Sequence, residues 1–156
     1  GYIEHNGVYR YNGYAIVDSR NICPTGWSVP TILDYELILD AFNEGESSNN
    51  NSGTSYGKEW GNAGKALKSS APSPDGNVFW SLTSNNNYSY LSFLLNNLTT
   101  CFDSYQSNIT SSFKTWSSSV APQTALWGIT LQDGTDFVYI SDFNYQNTLT
   151  TRCKKD

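Results

Sequence analysis

Residues 21–31, which read Asn-Ile-Cys-Pro-Thr-Gly-Trp-Ser-Val-Pro-Thr, constrain the fold of this chain more than any other stretch. Pro24 fixes φ and lacks an N–H donor, so a strand that precedes it ends here. Gly26 supplies the backbone freedom for a tight turn. Thr31 is a good N-cap residue, and Asp34 three positions later completes a capping-box pattern. The stretch therefore predicts a strand end, a rigid turn and the start of a helix.

The three cysteines allow one disulfide and leave one thiol over. Cys23 lies where the first strand is predicted to end, and Cys153, near the other end of the chain, is its distant candidate partner. This bond would close a loop over most of the chain and stabilise the fold by about 4–5 kcal/mol in the loop-entropy model. An isolated disulfide favours an oxidising location. We expect Cys101 to be a buried, unpaired thiol.

Two helices are predicted, and both lie in the first half of the chain. Residues 31–42 place Leu33, Leu37 and Ala41 four positions apart, which is the spacing of an apolar stripe along one helix face. Residues 62–69 form the second, shorter helix, whose apolar side chains share one side: Ala63, Ala66 and Leu67.

Strands account for most of the remaining regular structure. The dipeptide Asn6-Gly7 predicts a hairpin turn before the strand at residues 8–11, and residues 14–17 also have strand composition. Near the C-terminus four strands are predicted, with an Asp133-Gly134 hairpin turn between the second and the third: 113–117, 124–131, 136–141 and 148–154. Helices segregated from a run of antiparallel strands indicate the α+β class.

The middle of the chain is its least regular part. Residues 43–57 and 71–76 read as polar or proline-rich loops. Residues 78–82 have strand composition. Residues 90–105 carry leucines at helical spacing, yet their Asn and Thr content disfavours a helix, so both assignments of that segment stay open.

One domain is the expected organisation of a chain of 156 residues. A net charge of −5 without a basic patch argues against nucleic acid as a partner. Since no apolar run reaches the length of a transmembrane helix, we expect no membrane insertion. The chain contains no methionine. Residues 1–156 are therefore expected to be a single domain from a longer parent protein, the rest of which would be one of its partners.

Aromatic residues make up 15% of the chain, including eleven Tyr and five Trp, while charged residues also make up only 15%. Tyrosine among Asn, Ser and Thr suits a binding surface, because it offers contact area at low entropic cost. The same aromatic residues favour β-strands, so a β-rich core explains the composition equally well. Both interpretations stay open.

The residues that catalysis needs are sparse. The sole histidine is His5, in a terminal turn, so a Ser or Cys nucleophile lacks a neighbouring base. Carboxylate pairs, such as Asp34 with Glu36 and Asp133 with Asp136, fall at a helix start or in loops, where carboxylates are ordinary. No Cys or His pair has metal-ligand spacing. We therefore expect no enzyme activity, no metal and no cofactor.

Several segments together resemble one known family. Residues 21–31 carry a Cys-Pro-x-Gly-Trp-x-x-Pro-Thr turn, and residues 150–156 read Thr-Thr-Arg-Cys-Lys-Lys-Asp. In order and spacing, these segments resemble the Fibrobacter succinogenes major paralogous domain over nearly the whole chain. Ser28 replaces the family's usual histidine, and residues 77–112 replace its glycine-rich core segment. Weaker matches lie at residues 11–17, 63–70 and 116–119.

This resemblance implies a C-type-lectin-like fold. Such a layout pairs the N- and C-terminal strands, which Cys23 and Cys153 would hold together, and presents a second small sheet as a ligand face. The calcium-site tripeptides of sugar-binding C-type lectins are absent, so a calcium-dependent sugar site is not expected. Related proteins diversified by retroelements vary the C-terminal part of the fold, often to Asn, Ser, Tyr and Asp.

The implied ligand face is the last hairpin and the polar loop predicted at residues 142–147. An ordinary polar loop in an Asn-rich protein is the alternative interpretation of each of these positions. Trp27 and Trp127 are expected in the core rather than at a ligand. The predicted ligand-binding residues are Trp116, Tyr139, Asp142, Asn144, Tyr145 and Asn147.

The first functional hypothesis is a non-catalytic recognition domain. It would be extracellular, on a bacterial surface protein or a phage particle, and it would bind a protein or a glycan on a cell surface. The alternative is a structural module of a phage fibre, a virion or a cell-surface assembly. An enzyme of unknown type is a further alternative.

Overall fold

The computed structural model describes residues 1–5, 8–43, 49–50, 58–68, 112–132 and 134–156. These residues form an α+β fold in which antiparallel strands predominate and helices are few. Cys101 and the predictions for residues 71–76, 78–82 and 90–105 lie outside the described residues, as does most of the loop predicted at 43–57. No helix in the described part is long and apolar enough to cross a membrane.

Among the described residues, the helices lie in the first half of the chain, and two of them match the predicted helices. A third, short helix forms where a strand was predicted, because the Asn12 Oδ1 atom accepts a hydrogen bond from Ala15 N at 3.1 Å and caps the turn. The helices are α1 (Gly13–Ile16), α2 (Ile32–Phe42) and α3 (Ala63–Leu67). The strands are β1 (Tyr2–His5), β2 (Val8–Asn12), β3 (Trp27–Ser28), β4 (Asn49–Asn50), β5 (Lys58–Trp60), β6 (Ser112–Ala121), β7 (Ala125–Gln132), β8 (Val138–Asn144), β9 (Thr148–Leu149) and β10 (Lys154–Lys155).

Five described strands form the largest sheet, in the order β4-β5-β8-β7-β6. The last three strands of that order are antiparallel neighbours, as the C-terminal pattern predicts. Leu131 of β7 lies between Phe113 of β6 and Val138 of β8, so apolar side chains line up across one face. Gly134, with a φ of 76°, lies in the predicted turn between β7 and β8.

The first core cluster fills the space between this face and the helices α2 and α3. The predicted small side chains of α3 are buried, so the helix packs closely. The N–H of Gly64 donates to the carbonyl of Asp136 at 2.9 Å, which fixes α3 beside the start of β8. The buried members of the cluster are Ile32, Tyr35, Leu39, Trp60, Ala63, Leu67, Phe113, Ile129, Leu131, Val138 and Ile140.

Helix α2 presents a different face to the core than its spacing suggested. Its buried residues are Ile32, Tyr35 and Leu39, while Leu33 and Leu37 are 60% and 70% exposed. The sequence offers apolar side chains on both faces, and periodicity does not choose between them. Contacts with β6 determine which face of α2 is buried. Ile32 N donates to the Ser119 hydroxyl, and the Tyr35 hydroxyl donates to the Trp116 carbonyl.

The start of α2 has the predicted cap. The N–H of Asp34 donates to Thr31 Oγ1 at 3.2 Å, and the N–H of Thr31 donates to Asp34 Oδ2 at 2.7 Å. Before it, the N–H of Ser118 donates to the carbonyl of Pro30 at 2.8 Å. A register shift in β6 between Trp116 and Val120 covers Ser118, so the irregular part of this strand is bound to the start of α2.

The second core cluster lies on the other face of the sheet. Leu126 and Phe143 pair across β7 and β8, on the face opposite Leu131. Chain segments from both ends of the sequence cover them. The buried members are Ile16, Cys23, Val29, Trp116, Leu126, Phe143 and Leu149.

The two ends of the described fold are joined as predicted. Cys23 and Cys153 form a disulfide, with their Cα atoms 5.8 Å apart. Strand β2 pairs with β9, and β3 pairs with β10, so the paired terminal strands are confirmed. The C-terminal strand predicted at residues 148–154 is broken into β9 and β10, which belong to different sheets. The C-type-lectin-like fold stays a prediction.

Candidate ligand-binding surface

Trp116, predicted at the ligand face, is a core residue. Its side chain is 0% exposed and packs edge-on against Phe143, with ring centroids 5.8 Å apart. Its indole N–H donates to the Tyr11 carbonyl at 2.6 Å, so its polar atom is satisfied inside the protein. The prediction is therefore wrong for Trp116, because this part of β6 is covered on both faces.

The other two tryptophans singled out in the sequence differ from each other. Trp27 was expected in the core, yet 40% of its surface is exposed, because β3 is a two-residue strand that pairs only with β10 among the described strands. Trp127 is half-buried and packs against the first core cluster, close to its expected position.

Residues 144–147 form a tight turn after β8 rather than a free polar loop. Asn144 Oδ1 accepts a hydrogen bond from Gln146 N, and the Asn144 carbonyl accepts one from Asn147 N, both at 2.9 Å. The side-chain oxygen of Asn144 therefore stabilises the turn. Asn147 is half-buried. Since β8 extends through Asn144, half of the predicted loop at residues 142–147 is strand.

Tyr145, inside this turn, docks on α1. The Tyr145 carbonyl accepts a hydrogen bond from Gly13 N at 2.8 Å. A Cβ at Gly13 would lie only 2.7 Å from the Tyr145 ring, so only glycine permits this approach. The ring is half-buried against the second core cluster and stacks on Tyr14, with centroids 5.2 Å apart and planes 27° apart. The C-terminal turn and α1 therefore form one surface.

Tyr139 and Asp142 lie apart from this surface and from each other. Tyr139 pairs with Glu59 and Thr130 near the start of β8, about 17 Å along the strand from Asn144. Burial, and then the charge of Glu59, raise the pKa of Tyr139. Asp142 is exposed and pairs with Trp127, on the face opposite Tyr139. The structure therefore brings together only Asn144, Tyr145 and Asn147 of the six predicted residues.

Beside Tyr14 lies a surface depression of about 350 Å³ that the sequence patterns did not indicate. Tyr14, Asp18, Arg20 and Asn21 line it, together with Gly1, Ala15 and Ile22. Tyr14 is 57% exposed, although its ring is one of the larger apolar groups of the chain. No residue pattern in this segment distinguishes the depression from an ordinary loop.

Asp18 and Arg20 form a two-point ion pair at the rim of the depression. Arg20 Nε donates to Asp18 Oδ1 at 2.9 Å, and an Arg20 terminal nitrogen donates to Oδ2 at 2.7 Å. Hydrogen bonds from the Arg20 side chain and backbone hold the pKa of the Asp18 carboxyl well below its usual range. The carboxylate is therefore ionised at neutral pH and oriented by its partner.

Asn21 shapes the segment that carries this pair. It has a φ of 55°, a left-handed conformation that asparagine tolerates better than most residues. Its Nδ2 donates to the Trp27 carbonyl at 2.9 Å, and its Oδ1 accepts from Cys23 N at 3.1 Å. Because Cys23 forms a disulfide with Cys153, this segment is held beside the C-terminal part of the chain.

Further tyrosines lie on one face of the β1–β2 hairpin. Tyr2 packs near Tyr9 and Tyr11, with ring centroids 5.7 Å and 6.0 Å apart, and both Tyr2 and Tyr9 are exposed. The charge of Glu4 is the main cause that raises the pKa of Tyr9. This hairpin and α1 together give the N-terminal part of the fold an aromatic surface.

A model of the Fibrobacter succinogenes major domain matches residues 2–155. The chain belongs to the Fibrobacter succinogenes major domain family. No curated protein and no solved structure matches it.

In this family member, the opening turn and the C-terminal segment that carried the resemblance lie side by side. Lys155 pairs with Trp27, and the N–H of Asp156 donates to the Gly26 carbonyl at 3.1 Å. Ser28, at the position where the family usually has histidine, donates to Asp156 Oδ1 at 2.6 Å. The two motif segments therefore build the base of the fold.

Asp34 and Glu36, considered as a pair for catalysis, have structural partners, whereas the buried Oδ1 atom of Asp136 has no hydrogen-bond partner among the described residues. Asp34 caps α2, and its Oδ1 lies 3.6 Å from Lys154 Nζ. Glu36 lies 3.1 Å from Lys58 Nζ. Asp133 lies outside the described residues. Within the described ranges, no group of three His, Cys, Asp or Glu side chains could hold a metal ion.

Proposed function

We propose that this chain is a non-catalytic recognition domain that binds a protein or a glycan. The observation that carries the proposal is the exposed Tyr14 ring, stacked on Tyr145 at the edge of the depression. The proposed site is therefore centred on Tyr14, with Asp18, Arg20 and Tyr145 around it. It keeps one residue of the predicted ligand face and moves the centre to α1.

The rigidity of this surface supports a binding role. Tyr145 holds the Tyr14 ring from one side, and the Gly13–Tyr145 hydrogen bond fixes the turn against α1. A surface that is ordered before binding loses little conformational entropy when a ligand arrives. Exposed tyrosines provide large contact areas with few rotatable bonds.

We further propose an extracellular location, on a bacterial surface protein or a phage particle. The disulfide between Cys23 and Cys153 supports this, because such bonds persist in oxidising environments. A C-type-lectin-like layout would agree with the paired terminal strands. The ligand would then belong to a cell surface.

A screen of the purified chain against glycan and protein arrays tests the proposed function. Tyr14→Ala should reduce capture at least tenfold, because it removes the exposed ring. Val17→Ala is the matched control, since Val17 is 46% exposed at the end of α1 and is not among the residues that line the depression. Capture that survives Tyr14→Ala, or no capture at all, would contradict the proposal.

A structural module of a larger assembly is the second candidate function. Leu33 and Leu37 lie one turn apart on α2, and both are exposed. An exposed apolar stripe is a common feature of assembly contacts. Size-exclusion chromatography over a range of concentrations separates the two: a dimer or oligomer that Leu37→Ser dissociates favours assembly, and a monomer throughout favours recognition.

A further inference from the structure

We propose that the depression beside Tyr14 binds an uncharged carbohydrate, with a sugar ring stacked on Tyr14 and its hydroxyl groups bonded to the Asp18–Arg20 pair. This inference rests on the proposed recognition function and names the chemical class of the ligand. The site is on α1 and the segment after it, on a different part of the chain from the last hairpin.

The Tyr14 ring is the aromatic part of the proposed site. One face of it stacks on Tyr145, so the ring is held in place while 57% of the residue stays exposed. Sugar rings carry an apolar C–H face that packs on aromatic rings, and their hydroxyl groups point outward to polar partners. A fixed and exposed aromatic ring at the edge of a depression meets the first requirement for such a ligand.

The Asp18–Arg20 pair is the polar part of the proposed site. A guanidinium has five N–H donors, and the pair uses only some of them, since one Nε and one terminal nitrogen bond Asp18. The carboxylate likewise has acceptor capacity left. Hydrogen-bond donors and acceptors therefore lie side by side in this ion pair. A sugar hydroxyl can donate and accept at once, so neighbouring hydroxyls fit this arrangement.

Charge selects an uncharged ligand over an anion. The positive charge of Arg20 is matched by Asp18 at 2.7 Å. The chain as a whole carries a net charge of −5, which repels anions at long range. Phosphate groups, sialic acid and uronic acids would gain little from an arginine whose charge is already matched.

The size and rigidity of the site agree with a small sugar. A volume of about 350 Å³ lies at the lower end for ligand pockets, which suits a mono- or disaccharide unit. Both side-chain polar atoms of Asn21 bond backbone groups. It is a positioning residue that holds the segment beside the disulfide.

The test measures binding of the whole chain to a panel of glycosides by saturation-transfer NMR and titration calorimetry. The panel contains neutral probes (methyl glucoside, methyl galactoside, methyl mannoside, methyl fucoside and N-acetylglucosamine) and anionic probes (sialic acid and glucuronic acid). We expect binding to one or more neutral probes, with an affinity that changes less than twofold between low and high salt. Stronger binding of an anionic probe, or no binding of any neutral probe, would overturn the inference.

Variants then locate the site. Tyr14→Ala and Arg20→Ala should each weaken binding of the neutral probe at least tenfold, whereas Tyr14→Phe should keep most of it, because the ring is retained. Val17→Ala should leave binding unchanged. Arg20 is mostly exposed, with 88% of its side-chain surface accessible, so its removal should leave the melting temperature unaltered. Neutral-sugar binding that resists both alanine variants would overturn the site.

A protein array separates failure of this inference from failure of the proposed function. If Tyr14→Ala abolishes capture of a protein and no neutral sugar binds, the recognition function holds and the carbohydrate class is wrong. If neither array shows capture, both are wrong.

Discussion

At the scale of single residues, Tyr35 shows how burial controls a titrating group. Its side chain lies in the first core cluster, and its hydroxyl donates to the Trp116 carbonyl at 3.3 Å. Burial raises the pKa of Tyr35 to about 12. The folded pKa is above the unfolded value near 10, so the stability contributed by the neutral phenol is present below pH 10 and is lost as the pH rises towards 12.

We predict that Tyr35→Phe weakens the pH dependence of stability between pH 10 and 12. The lost hydrogen bond should cost about 1 kcal/mol at pH 7. The wild type should lose on the order of 2–3 kcal/mol more than the variant across the alkaline range. Urea denaturation at several pH values measures both quantities. Tyr14→Phe is the control at an exposed tyrosine, and parallel alkaline losses in wild type and Tyr35→Phe would contradict the prediction.

At the scale of secondary-structure elements, α2 depends on its first turn. Thr31 and Asp34 satisfy backbone N–H groups that the helix itself leaves without partners. Burial would raise the pKa of Asp34, yet the hydrogen bonds from Thr31 and the charge of Lys154 outweigh it and lower that pKa. The carboxylate therefore stays ionised and the cap is complete at neutral pH.

We predict that Thr31→Ala destabilises the protein by about 1–2 kcal/mol, because the helix loses its N-cap acceptor. Thr31→Ser should lose at most about half as much, since serine provides the same hydroxyl. Thermal or urea denaturation followed by circular dichroism gives the two free energies of unfolding. Equal losses for both variants would show that the Thr31 methyl group, rather than the cap, stabilises the helix.

The docking of the C-terminal turn on α1 also depends on contacts between two elements. Asn144 closes the turn within itself, whereas Tyr145 depends on Gly13 for both its hydrogen bond and its space. Alanine replacement of Asn144 or Tyr145 would therefore change structure as well as any ligand contact. Exposed Tyr14 and Arg20 are better probes of binding for this reason.

At the scale of the whole molecule, the disulfide joins chain ends that are 130 residues apart in sequence. Both cysteines lie at the second core cluster, next to strand pairs that bring the ends together independently. The bond therefore closes a structure that non-covalent contacts already define. Its main effect is expected on the unfolded chain, which it makes less extended.

We predict that Cys23→Ala with Cys153→Ala costs about 5 kcal/mol in the loop-entropy model. The melting temperature should fall by about 10–20 °C. Calorimetry with and without reductant measures the change, and Cys101→Ser serves as the cysteine control. Titration of the denatured wild type should find one free thiol per chain; three free thiols would contradict the disulfide.

Much of the fold could be predicted because its signals are local. The Thr31–Asp34 cap, the buried side of α3 and the β7–β8 hairpin each depend on residues close together in the chain. The disulfide was also predictable, because one pairing joined the two chain ends. Local signals failed at residues 14–17, where the Asn12 side chain favours a helical turn over a strand.

The candidate site was less predictable, because its members are far apart in the sequence. The sequence pattern around a tryptophan in a strand is the same whether its side chain is exposed or buried. Trp116 is a core residue only because Tyr11 and Phe143 pack around it. The Tyr14 ring is likewise held in place only because the C-terminal turn stacks Tyr145 against it.

The sequence by itself determined the α+β class, the turn at Pro24 and Gly26, the cap of α2 and the candidate disulfide, since each follows from short-range backbone chemistry or from cysteine pairing. Only the tertiary structure decided which side of α2 is buried and which tyrosines reach the surface together. Those outcomes depend on hydrogen bonds and packing between distant segments, and neither residue type nor spacing contains that information.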